Sequence, residues 1–358
     1  MKIELLDVAG YKKVFKVTDA SVGLNAFIAL HDLTLGPALG GVRIYPYHTS
    51  DEALTDVLRL AEGMTYKNAI AQLGLGGGKS VIMTDPKTQK TPKLLQAFGK
   101  AVEQLGGEYI CAQDVGCTSE DLKEIRKETR YVVGLIDDKS SGNPSIFTSY
   151  GIYRAMQATM QVLTGSDSLK DLTIAIQGMG NVGSNLAEFL FWAGANLIIA
   201  DVDPKAIHNA VIRYAPLVVS SKEIFSVKCD ILAPCALGAV LNDQTIPELR
   251  CRAVVGGANN QLLLPSHGDA LRHRGVIYAP DFVANAGGAI NVTAELEPGG
   301  YHPVNSRDKV RAIHDSLLEI YEIAKKRGES TNEAAVALAK HRLKEGIGKR
   351  ISPPVFHY

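Results

Sequence analysis

The sequence predicts an α/β protein of two domains, the second built on a doubly wound parallel sheet. Three observations carry this. At 358 residues the chain exceeds the usual size of one domain. From Leu172 onward, short apolar runs alternate with helical stretches, the pattern of parallel strands joined by crossover helices. And the stretch from Leu172 to Asp203, LTIAIQGMGNVGSNLAEFLFWAGANLIIADVD, places strand, glycine turn, helix, strand and acid in that order.

Within that stretch, Leu172 to Ile176 is a β-branched apolar run suited to a buried strand, and Val182, Leu186, Phe189 and Leu190 share a helix face. Between them lie Gly178, Met179, Gly180, Asn181, Val182, Gly183 and Ser184. Gly178 would permit the tight turn, Gly180 the approach of a pyrophosphate, and Gly183 the packing of helix on sheet. Free N–H groups at the helix start would hold the anion. Asp201 ends the second strand. It would accept from the ribose diol and repel a 2′-phosphate, so NAD is expected over NADP. Asp203 precedes Pro204 and reads as a helix cap, which leaves Asp201 for the ribose. A glycine turn alone is weak evidence; the complete surrounding order favours dinucleotide binding over a structural turn.

The 38 basic and 38 acidic residues balance, with no basic block for nucleic acid or an anionic membrane. The N-terminal MKIELLDVAGYKK lacks a signal peptide's apolar core, and Glu188, Asn196 and Asp201 interrupt the most apolar stretches. Five cysteines, an odd number without a C-x-x-C, read as free thiols in a reducing compartment. A cytoplasmic protein without metal, membrane or nucleic-acid partner is expected.

Earlier in the chain, Tyr11–Val17 and Leu24–Leu33 read as strands and Gly36–Arg43 as a glycine-rich loop. Thr49 and Glu52 suit a capping box for a helix facing inward through Leu54, Val57, Leu58, Ala61 and Met64. A second glycine cluster, Gly74–Gly78, leads through Lys79 into a strand at Ser80–Met83. Thr91–Leu105 reads as helix, Tyr109–Gln113 as strand ending at Asp114, Thr118–Thr129 as helix and Tyr131–Gly134 as strand. The polar stretch Asp137–Asn143 marks the expected domain boundary. Beyond it come a helix at Phe147–Leu163 and strands at Leu217–Val219, Asp230–Ala233, Ala253–Val255 and Val276–Tyr278. A long helix at Ser306–Lys326 stops at Gly328, and Ser330 with Glu333 caps a last helix that could return to the first domain. The expected domains are thus 1–136 with about 331–358, and 137–330, with a cleft between them.

Two lysines stand out, Lys67 in MTYKNA and Lys79 after three glycines. Most lysines are merely solvated. A pair sharing a dry cleft would depress each other's pKa and provide a general base. Asp114 lies at a strand end, where α/β sites form, although it could equally cap the following helix. Spacing alone leaves each of these residues open.

At these residues the chain resembles the amino acid dehydrogenases of the glutamate, leucine, phenylalanine and valine dehydrogenase family. The matching segments are GPALGGVR (36–43), MTYKNA (64–69), GLGGGKSV (74–81), QDVG (113–116), GNPSIFTSYG (142–151), IQGMGNVG (176–183), APCALGAVLN (233–242), GGANNQL (256–262) and YAPDFVANAGGAINVTAEL (278–296). The likeness is nearest to the leucine enzymes, with the phenylalanine enzymes next. The resemblance implies an N-terminal α/β domain for substrate and oligomerisation beside a Rossmann NAD domain. It implies that Lys67 binds the substrate carboxylate, Lys79 is the catalytic base, and Asp114 moves protons on the amino group or water. It implies that Thr148, Ala236 and Asn259 contact the nicotinamide end. The reaction would be reversible, NAD-dependent oxidative deamination to a 2-oxo acid and ammonia, in a homo-oligomer, either octamer or dimer.

Glutamate-specific members carry a lysine where this chain has Leu39, so an apolar substrate is expected; a carboxylate buried there would lack its partner, at a cost of ~3–5 kcal/mol. Leu39, Gly40, Ala112, Ala289 and Val292 would line the side-chain pocket, though any one alone reads as core. Ala112 looks leucine-enzyme-like, whereas Asn143 and the small Ala289 lean towards phenylalanine. Leucine and other branched-chain substrates are the expectation, phenylalanine the alternative. A non-catalytic NAD sensor and a 2-hydroxy acid oxidoreductase are the competing classes. The first is disfavoured by the presence of Lys67, Lys79 and Asp114, the second by the absence of an evident histidine–acid pairing. The ending, ISPPVFHY, is shorter than expected for the leucine enzymes.

Overall fold

The computed structural model describes residues 1–136 and 140–357. Two compact units divide the chain: Met1–Asn143 with Val292–Pro303 and Ala339–Tyr358, and Pro144–Asn291 with Val304–Leu338. Of the expected boundary segment, Asp137, Asp138 and Lys139 lie outside the described residues. The division returns Val292–Pro303 to the first unit, a segment the expected bounds put in the second. Glu295 accounts for this. Its buried carboxylate accepts the backbone N–H of Gly134 at 3.1 Å and of Ser141 at 2.7 Å. A buried carboxylate is tolerable only with such donors.

The first unit contains β1 (Lys2–Leu6), β2 (Lys13–Asp19), β3 (Leu24–Asp32), β4 (Ala38–Tyr45), α1 (Ser50–Ile70), β5 (Gly76–Met83), α2 (Pro92–Gln104), β6 (Tyr109–Gln113) and α3 (Ser119–Arg126). Its sheet runs β1-β2-β3-β5-β4-β6, antiparallel as far as β5 and parallel from β5 through β4 to β6. Both faces are covered, which explains the unbroken apolar run of β3. Ala26, Ile28 and Leu30 enter the core beneath α2 and α3, and Phe27 and Ala29 the core beneath α1. α1 buries Ala53, Val57, Ala61 and Thr65, one step round from the expected face, so that small side chains bring the helix close. Its N-terminus is also modified from expectation. Thr49 accepts from Glu52 N–H at 3.1 Å, but the Glu52 carboxylate turns to His48 N–H at 3.0 Å. The reciprocal box forms instead at α3, between Thr118 and Asp121.

Two expected glycine loops are strands. Residues 38–43 belong to β4, and 76–78 open β5. Glycine is used here for closeness rather than for turning. A Cβ on Gly77 would lie 2.2 Å from the Thr65 backbone nitrogen in α1, and one on Gly78 would lie 3.0 Å from the Tyr109 ring on the opposite face. The expected strand at Tyr131–Gly134 is reduced to a single bridge between Cys111 and Val132, and α3 ends at Arg126 rather than Thr129. β1 was not anticipated; it alternates weakly and stays largely exposed.

The second unit contains α4 (Ser145–Thr164), β7 (Thr173–Gln177), α5 (Asn181–Trp192), β8 (Asn196–Ala200), α6 (Pro204–Tyr214), β9 (Leu217–Val218), β10 (Ile231–Pro234), β11 (Ala253–Val254), α7 (His267–His273), β12 (Ile277–Tyr278), α8 (Asp281–Ala284), α9 (Gly287–Thr293) and α10 (Pro303–Arg327). α9 ends, and α10 begins, in first-unit residues. The sheet is parallel throughout, in the order β12-β11-β10-β7-β8-β9. This is the doubly wound order that reverses between its first and fourth strands, here β7 and β10. A last helix, α11 (Thr331–Glu345), starts in this unit behind the Ser330–Glu333 box and ends in the first. There Arg342 donates to the Ile70 carbonyl at the end of α1.

Gly77→Ala is expected to destabilise the first unit by at least ~1–3 kcal/mol, the usual cost of forcing atoms into filled space. Urea unfolding of the variant should show a lower midpoint with an unchanged slope.

Candidate active site

Successive residues of a strand point to opposite faces, which sorts the candidates. On β4, Ala38, Val42 and Ile44 join the core beneath α2 and α3, so Leu39, Gly41 and Arg43 face α1. On β5, Val81 joins the α1 core, which puts Gly77 and Lys79 on that face as well. On β6, Tyr109 and Cys111 face α2 and α3, so Ala112 faces α1, and Asp114 follows one step beyond the strand. Parallel pairing sets Gly41 beside Ala112. Lys79, Asp114, Leu39 and Ala112 therefore share the face toward α1. Gly40 does not join them: a Cβ there would press on the Gly78 carbonyl, and its own carbonyl accepts from the Tyr109 hydroxyl at 2.9 Å.

Gly41 creates the space. A Cβ at 41 would stand 2.6 Å from the Asp114 Cβ and 3.2 Å from Lys79 Nζ. Into it come Lys79 Nζ, 3.1 Å from Asp114 Oδ1, and Arg43 Nε, which donates to Asp114 Oδ2 at 2.9 Å. The other edge of the Arg43 guanidinium donates to Asp56 on α1 at 2.8 Å, and the Tyr47 hydroxyl donates to the same Asp56 oxygen. Lys79 is 5 % exposed. Burial pushes its amine below the ordinary value; Asp114 pulls the other way, and Arg43 reinforces the burial. Arg43 is thus a positive neighbour acting on Lys79 that the sequence did not single out. Burial would raise the Asp114 carboxyl, but Lys79 and Arg43 outweigh it and hold it at about 2. Burial works against the Arg43 charge too, and Asp114 with Asp56 more than offsets it. Lys67 lies half-buried in the last turn of α1, two residues beyond the Thr65 that meets Gly77. Val292 is buried against Gly134 in the same unit, and Ala289 is half-buried in the second.

In the second unit the glycine turn takes its expected form. Gly178 has φ +95°, and a Cβ on Gly183 would lie 1.9 Å from the Gly178 carbonyl oxygen. No atom lies within 4 Å of a Cβ placed on Gly180, and α5 starts without a side-chain cap. The open N–H groups of Asn181, Val182 and Gly183 suit a pyrophosphate. The Ser184 hydroxyl is occupied, donating to the Met179 carbonyl at 2.7 Å. The Asp201 carboxylate accepts from the backbone N–H groups of Met179 and Asp203, one on each oxygen, and each oxygen retains a lone pair. Asp203 caps α6 through Lys205 N–H. The loop after β10 crosses this turn: a Cβ on Gly178 would lie 2.9 Å from that of Ala236. Ala236 and Asn259 are exposed, and Thr148 on α4 stands against Gly288. These residues fit a dinucleotide at the switch point between β7 and β10.

Residues 12–131 match the Glu/Leu/Phe/Val dehydrogenase dimerisation domain, and residues 141–207 and 202–347 match the Glutamate/Leucine/Phenylalanine/Valine dehydrogenase domain. The chain belongs to the Glu/Leu/Phe/Val dehydrogenase family. It is 46% identical to a leucine dehydrogenase of Geobacillus stearothermophilus over 349 residues, covering 97% of this chain and 94% of that one. It is also 46% identical to a phenylalanine dehydrogenase of Lysinibacillus sphaericus over 336 residues, covering 92% and 87%. The crystal structure of the L-tryptophan dehydrogenase from Nostoc punctiforme superposes with a TM-score of 0.83 at 41% identity, covering 94% of this chain and 97% of the other.

This family member is an amino acid dehydrogenase. Among its described residues no helix is long and apolar enough to cross a membrane, and no group of three or more metal-ligating side chains assembles. Arg43, Gly41 and Asp56 were not singled out from the sequence of this dehydrogenase, although Gly41 and Arg43 stand inside the GPALGGVR segment. Asn285 was missed as well. It is buried and donates to the Gly257 carbonyl at 3.2 Å and to Asn259 at 2.8 Å, which fixes the loop carrying Asn259. The signal for it was the polar residue inside an otherwise small and apolar VANAGGA.

Proposed function

We propose that the chain catalyses reversible, NAD-dependent oxidative deamination of an apolar L-amino acid, with leucine and other branched-chain substrates preferred. The observation that carries the reading is the buried Lys79–Asp114 pair on the α1 face of the first unit. When bound, NAD would accept the hydride from the substrate Cα. Lys79, its amine depressed by burial, takes a proton from the water that attacks the resulting iminium carbon. Asp114, kept ionised by two cations, relays the proton that the nitrogen gains before ammonia leaves. Lys67 holds the substrate carboxylate. Arg43 is a positioning residue: it fixes the Asp114 carboxylate with one oxygen toward Lys79. Leu39 and Ala112 beside this pair give an apolar side chain no charged partner, which argues against glutamate. Phenylalanine is the second reading, supported by the small Ala289 and by the likeness to a phenylalanine dehydrogenase. The uncapped α5 and the two-lone-pair geometry at Asp201 support NAD as the dinucleotide. A homo-oligomer in the cytoplasm, dimer or octamer, completes the proposal; a matched dimerisation domain supports assembly.

Lys79→Ala is expected to lower kcat by roughly 10²–10⁴-fold with NAD binding retained. NADH formation on a panel of leucine, valine, phenylalanine and glutamate tests this and the substrate order together; a variant turning over leucine at the parental rate would end the assignment.

Asp201→Ala is expected to reduce the preference for NAD over NADP by about 10- to 100-fold, the scale of one lost charge-assisted hydrogen bond to the ribose. The ratio of kcat/KM for the two dinucleotides reads this directly.

The acid limb of kcat/KM in deamination should follow the Lys79 proton, on which Asp114, Arg43 and Asp56 all act. Removing a like charge raises an amine's pKa, so Arg43→Gln moves the limb to higher pH. Removing the counter-charge lowers it, so Asp114→Asn moves the limb to lower pH. Opposite displacements in the two variants separate this electrostatic role from a loss of packing, which would leave the limb in place.

A further inference from the structure

We propose that Cys229 and Cys251 form a thiol–disulfide exchange site, open to small-molecule disulfides, that closes into an intrachain disulfide between the feet of β10 and β11. The register places them. Ile231 pairs with Ala253, Leu232 with Val254 and Lys228 with Arg250, every partner lying 22 positions along. The same offset sets Cys229 directly opposite Cys251. Neighbouring strands stand ~4.8 Å apart, inside the ~4.4–6.8 Å span between Cα atoms that a disulfide requires. Both side chains pack into one hydrophobic cluster, with Leu232, Leu249 and Val254, so they share a face.

The two sulfurs are not equivalent. Cys229 is buried, and Cys251 is half-buried. The neighbouring Cys229 thiol, and the nearby Arg274 charge, hold the Cys251 thiol below its ordinary pKa, while Cys251 and burial push Cys229 up. Cys251 is therefore the attacking group and Cys229 the resolving one. In the first step the Cys251 thiolate attacks one sulfur of a small disulfide, forming a mixed disulfide and expelling one small thiolate. In the second step Cys229, losing its proton to solvent, attacks the Cys251 sulfur and expels the second thiolate. Two protein thiols are oxidised, and one small disulfide is reduced to two thiols. The Arg274 charge acting on Cys251 favours an anionic disulfide such as oxidised glutathione.

The remaining cysteines offer no such pair. Cys111 and Cys117 both face α2 and α3, and burial raises each thiol; Cys235 lies at the far end of β10 and is raised by burial too.

The test uses the full chain and oxidised glutathione, followed by intact mass, peptide mapping and thiol titration. Free thiols should fall from five by two, with a mass loss of about 2 Da, a cross-link joining the Cys229 and Cys251 peptides, and full reversal by dithiothreitol. Cys229→Ala should stop at a stable glutathione adduct on Cys251. Cys251→Ala should leave Cys229 unreacted. Leucine turnover and NAD affinity should change less than about twofold on oxidation, since the bond lies at the strand ends opposite those that carry the cofactor loops. A different cysteine pairing, no reaction under conditions that oxidise a control dithiol, or an adduct on Cys251 that persists in the parent chain would overturn the proposal.

Discussion

The Asp114 carboxylate, held between Lys79 and Arg43, is the constraint on which the first unit's chemistry depends. Buried charges lose hydration worth several kcal/mol each, and they persist only where every lone pair and proton finds a partner. Here the partners interlock. Asp114 receives Arg43 Nε and Lys79; Arg43 continues to Asp56; Asp56 receives Tyr47. With Lys79 protonated, these two cations and two anions cancel. With Lys79 neutral, one net negative charge remains, and this is what makes a depressed amine still basic enough to take a proton. Burial drives the proton off, the surplus carboxylate charge draws it back, and the balance lies below the ordinary lysine value. An amine so balanced would change state readily in either direction, as the proposed reversible reaction requires.

Such a cluster needs room, and the sheet makes room by omitting side chains. Gly41 clears the position over Asp114 and Lys79; Gly77 lets α1 lie on the strand two residues before Lys79; Gly78 yields to Tyr109 on the other face. All three are strand residues. Glycine is a poor strand former by entropy and packing, so its use here reflects tertiary demand overriding local preference. A Cβ at any of the three meets protein atoms at 3.2 Å or less.

This also explains what was legible in the sequence. The second unit's fold and turn could be read because its signal is local: strand, glycine turn, helix, strand and acid fall within residues 172–201, and the roles of Asp201 and Asp203 separate through Pro204 alone. Lys79 and Asp114 were visible as residues and became persuasive only by resemblance. Arg43 and Gly41 were not visible, because their meaning lies in partners far along the chain. Arg43 reaches Asp114 across 71 positions, and the Glu295 carboxylate that returns residues 292–303 to the first unit reaches Ser141 across 154. The glycine clusters were read as loops for a related reason. Glycine marks either a turn or a close approach, and the sequence does not reveal what approaches.

The two ends of β10 show how one strand separates duties. At its carboxyl end the chain runs into Cys235 and Ala236, against Gly178, while a Cβ on Gly256 from the next strand would lie 2.3 Å from the Pro234 carbonyl oxygen. No atom can be added there without moving the turn that would hold the dinucleotide. At its amino end, Asp230 accepts from Thr173 N–H at 2.9 Å and ties β10 to β7, while Cys229 faces Cys251 across to β11. In a parallel sheet all strands present their carboxyl ends to the ligand, so the cysteine pair lies at the end of β10 away from the ligand-bearing loops. That polarity is why the proposed thiol exchange and the proposed dinucleotide edge could coexist in one domain of this size.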